Sequence, residues 1–261
     1  MLKQLHEKNS LLFSIIWIIA YCILFSLADS LSATRGIEKA VTLPVGLALS
    51  LFLFLFLRRE GLLAAYGLRA PRGSGKQTFY YLPLVALLSA NLWYGVTLRY
   101  SALETVLFIA SMLCVGFLEE VIFRGLLFNA MRGEHPRAAV IVSSVTFGIG
   151  HIINLFNGAG ADLVPNLLQV VYATAAGFMF VMLYLCTQSL LPCILTHALF
   201  NALSAFSREA PTLTHAVLSC VLLCLISGGY AAYLAFILRR GRSCANEPNK
   251  EKNDEHLSAS K

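Results

Sequence analysis

Eight runs of apolar residues, near 11–28, 40–57, 79–97, 103–130, 138–156, 164–186, 188–206 and 213–238, fill most of the chain and are separated by charged or Gly-, Pro- and Ser-containing breaks. A stretch of about 20 apolar residues is what a helix needs to cross a hydrocarbon core about 30 Å thick. In lipid every backbone N–H and C=O must find its partner within the protein, and a helix satisfies them within the segment itself. The expected fold is therefore all-α: a polytopic membrane protein of about eight transmembrane helices, with any polar site lying between core helices. Composition agrees, at 57% hydrophobic and 13% charged residues with a mean hydropathy of +0.71. The first run follows a basic start but is long and lacks a small-residue cleavage site, so it reads as a retained span rather than a signal peptide. Thr187, Gln188 and Ser189 give only a weak break before Pro192, which leaves a seven-span reading beside the eight.

Charge orients the bundle. With the amino terminus inside, the termini and the loops on their side carry fifteen Lys and Arg residues, and the opposite side carries four: Arg35, Lys39, Arg99 and Arg208. Basic residues accumulate on the cytoplasmic side of membrane proteins, so both termini are expected in the cytoplasm. Topology accounts for the net charge of +6, and nucleic acid is not expected as a partner. Residues 1–238 read as a single transmembrane domain. Residues 58–78 pair a short apolar piece with basic flanks and suit a segment lying at the cytoplasmic interface. The tail, 239–261, is too polar to bury a core and is expected to be disordered. The seven cysteines are scattered and read as small apolar fillers.

Against this background Glu119, Glu120 and Arg124 stand out, because they sit inside the apolar stretch Phe117 to Phe128. Each ionisable side chain at the bilayer centre costs about 2.5–3.5 kcal/mol, and such residues mark functional sites. On a helix Glu120 and Arg124 share a face, whereas Glu119 points about a quarter turn away. The expected arrangement is a Glu120–Arg124 pair, with Glu119 left to face a cavity. Two later stretches carry a histidine with a partner four residues away: Phe147 with His151, and His197 with Asn201. Gly148 and Gly150 allow another helix or a substrate backbone to come close.

A carboxylate, two imidazoles and an amide from three helices are the parts needed to activate water against a peptide carbonyl and to stabilise the oxyanion that forms. The same Glu119, His151 and His197 are also a legitimate zinc shell. A third reading makes Glu119, His151 and His197 a proton relay in a non-enzymatic immunity factor or proton-coupled transporter.

In order and spacing, E119-E120-V-I-F-R124, F147-G-I-G-H151 and H197-A-L-F-N201 resemble the CAAX protease and bacteriocin-processing (CPBP, or Abi) family of intramembrane proteases. The resemblance is strong over roughly 100–206, and the GLR stretch at 67–69 looks like a further family feature. It implies an endopeptidase acting on a peptide or protein substrate that reaches the membrane. Glu119 would be the catalytic carboxylate, His151 its water-holding partner, His197 and Asn201 the oxyanion-stabilising pair, and Glu120 with Arg124 the completion of the first motif. The cofactor is open between zinc and none. The metal-free reading is favoured, because Glu119 as a ligand would no longer be available as base. Arg132 and Arg137 place the end of the Glu119 helix at the cytoplasmic side, and a deep cavity reaching that side is expected.

Overall fold

The computed structural model describes residues 2–71, 81–157 and 162–240. Among them there is no strand, only an isolated antiparallel bridge between Val96 and Ser207. A short surface helix, α1 (Leu2–Lys8), precedes two long helices, α2 (Ser10–Arg35) and α3 (Thr42–Arg59). Next comes α4 (Leu82–Ser89), extended by a 3-10 turn to Leu92. One continuous rod follows, made of α5 (Ala102–Glu120), a π-helical segment (Val121–Phe128) and α6 (Asn129–Arg132). Then α7 (Pro136–Gly150) passes into a 3-10 stretch (His151–Leu155). The bundle is completed by α8 (Leu163–Thr187), α9 (Leu191–Leu203) with its 3-10 turn Ser204–Phe206, and α10 (Leu213–Arg239).

The all-α polytopic architecture is the one expected. Among the described residues six rods are long and apolar enough to cross a membrane, and two shorter apolar helices, Leu82–Leu92 and Leu191–Phe206, stand where the third and seventh spans are expected. At about 1.5 Å per residue the described part of the first of these is about 17 Å long. The weak break at 187 is a true break. Gln188 adopts the left-handed conformation (φ 54°) and its N–H donates to the Tyr184 carbonyl, ending α8, and Pro192 sits in the first turn of α9, where its missing N–H costs nothing.

Side-chain spacing decides which face each helix turns inward. In α2, Phe13, Trp17, Tyr21 and Phe25 recur every four residues and are buried, whereas Ile19, Ile23, Leu27 and Leu31 on the opposite face are exposed, as lipid contact requires. Small residues bring particular helices into backbone contact. A Cβ on Gly116 of α5 would lie 2.7 Å from the backbone of Ala198 in α9, and one on Gly177 of α8 would lie 2.9 Å from Ser144 in α7. Gly148 lies equally close to Thr174, as anticipated, but Gly150 has open space around it.

The described part of 58–78 is tied to the bundle. Leu62, Leu63, Tyr66 and Leu68 pack against the core. Gly67, at φ 77°, accepts from the Leu190 N–H, Ser189 Oγ donates to the Arg69 carbonyl, and Arg69 Nε donates to the Gln188 carbonyl. The GLR stretch thus stitches the loop to the α8–α9 turn. Residues 72–78 and the tail from 241 lie outside the described residues.

Candidate active site

The site forms where α2, α5, α7 and α9 meet at mid-depth. Glu119 and Glu120 are the last two residues of α5, and Arg124 sits in the π-helical segment that follows. π-Helical turns are rare and recur at functional sites, because the extra residue rotates the side chains that come after it. Here Arg124 Nη1 still donates to Glu120 Oε1, at 3.0 Å, and both side chains are fully buried. The guanidinium lies 4.0 Å from the centroid of Phe147 and 5.5 Å from that of Phe180, so two aromatic faces take up charge that the carboxylate does not.

His197 joins the two glutamates. Its Nδ1 lies 2.9 Å from Glu120 Oε1, and its Nε2 lies 3.7 Å from Glu119 Oε2. A carboxylate already paired with Arg124 is an acceptor only, so Nδ1 carries the proton and Nε2 is the nitrogen turned toward Glu119. The ring stacks on Phe180 at 20° and meets the edge of Phe147. The close approach of Gly116 to Ala198 sets this geometry, since one residue precedes Glu120 by four and the other follows His197 directly.

His151 occupies the point where the α-helix of α7 gives way to a 3-10 turn. Its Nδ1 lies 3.0 Å from the Phe147 carbonyl, an acceptor freed by the helix end, so Nδ1 donates and Nε2 keeps a lone pair. Asn166 of α8 donates to the His151 carbonyl at 2.9 Å and fixes the turn. Phe147 therefore touches Arg124, His151 and His197 at once.

Two contributions escaped the sequence. Tyr21 Oη donates to Glu119 Oε1 at 2.6 Å from a span that carried no motif, and nothing separates a site tyrosine from a packing one in an apolar run. Phe180 is equally anonymous. Asn166, a lone amide in an apolar helix, was the detectable signal. Glu119 is thus not free on both oxygens: Oε1 is held by Tyr21, while Oε2 is buried and accepts no hydrogen bond from the described residues.

A cavity of about 360 Å³ is lined by Glu119, Tyr21, His151 and Asn201, and a smaller one of about 40 Å³ lies between His151, His197, Asn201 and Phe180. The larger cavity does not run toward Arg132 and Arg137. It runs the other way, past Cys22 and Ser26 to Asp29, Lys39 and Thr42. The expectation of access from the end bearing Arg132 is corrected accordingly. Toward that end Leu57, Leu126, Phe128 and Leu183 are all at most 2% exposed.

As placed, no three His, Cys, Asp or Glu side chains among the described residues are grouped as ligands for a metal ion.

No curated protein and no solved structure matches the chain. Residues 101–203 match the family model described as Rce1-like, type II CAAX prenyl endopeptidase. The segment that carries all three motifs is therefore similar to the Rce1-like CAAX prenyl endopeptidases, and the resemblance drawn from Glu119–Arg124, Phe147–His151 and His197–Asn201 is borne out over that segment.

Proposed function

We propose that this protein is an intramembrane endopeptidase in which Glu119 activates water for attack on a peptide carbonyl without a bound metal. The observation that carries the reading is the division of labour between the Glu119 oxygens. Tyr21 fixes Oε1, which leaves the Oε2 lone pairs at the cavity for a water proton. His151 orients that water through Nε2, because its Nδ1 proton is committed to the Phe147 carbonyl. The water oxygen bonds to the carbonyl carbon, Glu119 holds the proton, and the carbonyl oxygen becomes the oxyanion. Asn201 supplies a carboxamide donor to it. The His197 ring stands beside the same position, held there by the Glu120 carboxylate on Nδ1. Collapse breaks the C–N bond, and Glu119 returns the proton to the departing amine.

Glu120 and Arg124 act one step back from the chemistry. They hold His197 in the required tautomer and orientation, as a buried carboxylate does for any catalytic imidazole. Purified protein in detergent should cleave a peptide substrate, and Glu119→Gln should abolish that cleavage while leaving thermal unfolding nearly unchanged. Residual activity above about a tenth of wild type would remove Glu119 from the role of base, since a positioned general base contributes about 10²–10⁴-fold. A proton-coupled transporter or immunity factor would show no peptide cleavage with either form.

A further inference from the structure

The chain alternates between two ends of the bundle, and the catalytic cavity belongs to one of them. Leaving the α1 end, α2 reaches the far end at Arg35, and the 36–41 turn, the 93–101 segment and the 207–212 segment share that end. Tyr21, which touches Glu119, and Asp29, at the outer part of the cavity, lie eight residues apart on α2, about 12 Å along its axis. Asn157, Ser204 and Lys39 line the same outer part. Toward the opposite end, which carries Arg58, Arg59, Arg132 and Arg137, the cavity does not extend, and Leu57, Leu126, Phe128 and Leu183 are buried.

Charge assigns the two ends to the two sides of the membrane. Among the described residues the end that carries Arg132 and Arg137 holds nine Lys and Arg residues, and the end with the cavity holds four, one of them Lys39, which is neutralised at 2.8 Å by Asp29 and at 3.4 Å by Glu38. A difference this large between short loops sets orientation in membrane proteins. We infer that the catalytic cavity opens to the extracytoplasmic face, so that the substrate is an exported polypeptide or the outward segment of a membrane protein rather than a cytoplasmic carboxyl terminus. This rests on the peptidase reading for the word substrate, but the direction of access does not depend on it. The 12 Å between Tyr21 and Asp29 accommodates three to four extended residues on the outward side of the scissile bond, at about 3.3–3.6 Å each. The amides of Asn154 and Gln169, hydrogen-bonded to each other at 3.2 Å, line their path.

Two exposed arginines at opposite ends provide the test. Arg208→Cys and Arg137→Cys, each compared with the unsubstituted protein, are treated in intact cells with a membrane-impermeant maleimide. Labelling of Arg208→Cys in intact cells, with Arg137→Cys labelled only after permeabilisation, is the expected result. The reverse pattern, or equal labelling of both, overturns the inference. A mixture of fluorogenic peptides too polar to cross the bilayer is then supplied to vesicles of each orientation. Right-side-out vesicles should hydrolyse it at least tenfold faster than inside-out ones, and the Glu119→Gln protein should not hydrolyse it at all. A ratio inverted in favour of inside-out vesicles also overturns the inference. Outward labelling of Arg208→Cys without Glu119-dependent hydrolysis, in vesicles or in detergent, supports the orientation and refutes the peptidase reading instead.

Discussion

Replacing Gly116 by alanine should disable the site without altering one of its polar atoms. The new Cβ would lie 2.7 Å from the Cα, N and Cβ of Ala198. Carbon atoms in contact sit about 3.5–4.0 Å apart, so α5 and α9 must separate by about 1 Å. Glu120 lies one turn beyond Gly116, and His197 is the neighbour of Ala198, so the separation falls on the hydrogen bond between them. From 2.9 Å it lengthens to about 3.9 Å, past the useful limit of about 3.2 Å. Overpacking costs about 1–3 kcal/mol of stability, and a 1 Å displacement of a catalytic group costs about a hundredfold in rate. Glu119-dependent peptide hydrolysis and equilibrium unfolding in mixed micelles measure the two effects. Activity within about twofold of wild type would refute the argument. A second substitution, Ala198→Gly, removes only one of the three contacts and should restore only part of the loss. Complete rescue would show that the backbones were not the obstacle.

Arg124→Met should cost about 3–5 kcal/mol in unfolding measurements because it strands the Glu120 carboxylate, whereas Glu120→Gln combined with Arg124→Met should cost clearly less, so additive losses would contradict the pairing. Tyr21→Phe should lower kcat about ten- to a hundredfold with KM little changed, since it removes a hydrogen bond to a charged group without touching the cavity's outer part; a raised KM at constant kcat would assign Tyr21 to substrate binding. Elemental analysis of purified, active protein should find far less than one zinc per chain, with activity insensitive to chelators. One zinc per chain, with activity lost on chelation and restored by zinc alone, would make Glu119, His151 and His197 ligands.

The spans were legible because their signal is one-dimensional: apolar length between polar breaks. The pairing of Glu120 with Arg124 was legible for a similar reason, since four residues is one turn and the pair survives the π-helical segment. The π-helix itself was not, because nothing in Val121–Phe128 distinguishes it from an ordinary apolar helix until its neighbours are in place. The same holds for the bond from Tyr21 to Glu119, which joins residues 98 positions apart, and for the direction of the cavity. Arg132 and Arg137 located the helix end correctly, but charge at an end does not reveal whether the interior behind it is filled with Leu126 and Phe128. Gly148 and Gly150 read alike in sequence, as places where a helix or a substrate backbone could come close, and only the fold separates them: Gly148 meets Thr174, whereas Gly150 faces the open cavity.

The stitch between Gly67–Arg69 and the α8–α9 turn fixes the length of the connection from α3 to Gly67. From Arg59 to Gly67 the backbone is bonded turn by turn, with Leu62 N–H to Leu57, Tyr66 to Leu62 and Leu68 to Leu63, and it has no slack. A residue inserted there would have to be absorbed by the Leu190 bond to Gly67, and so by the starting point of α9, whose second turn carries His197. A three-residue segment thus acts as the ruler that sets the height of the His197 imidazole.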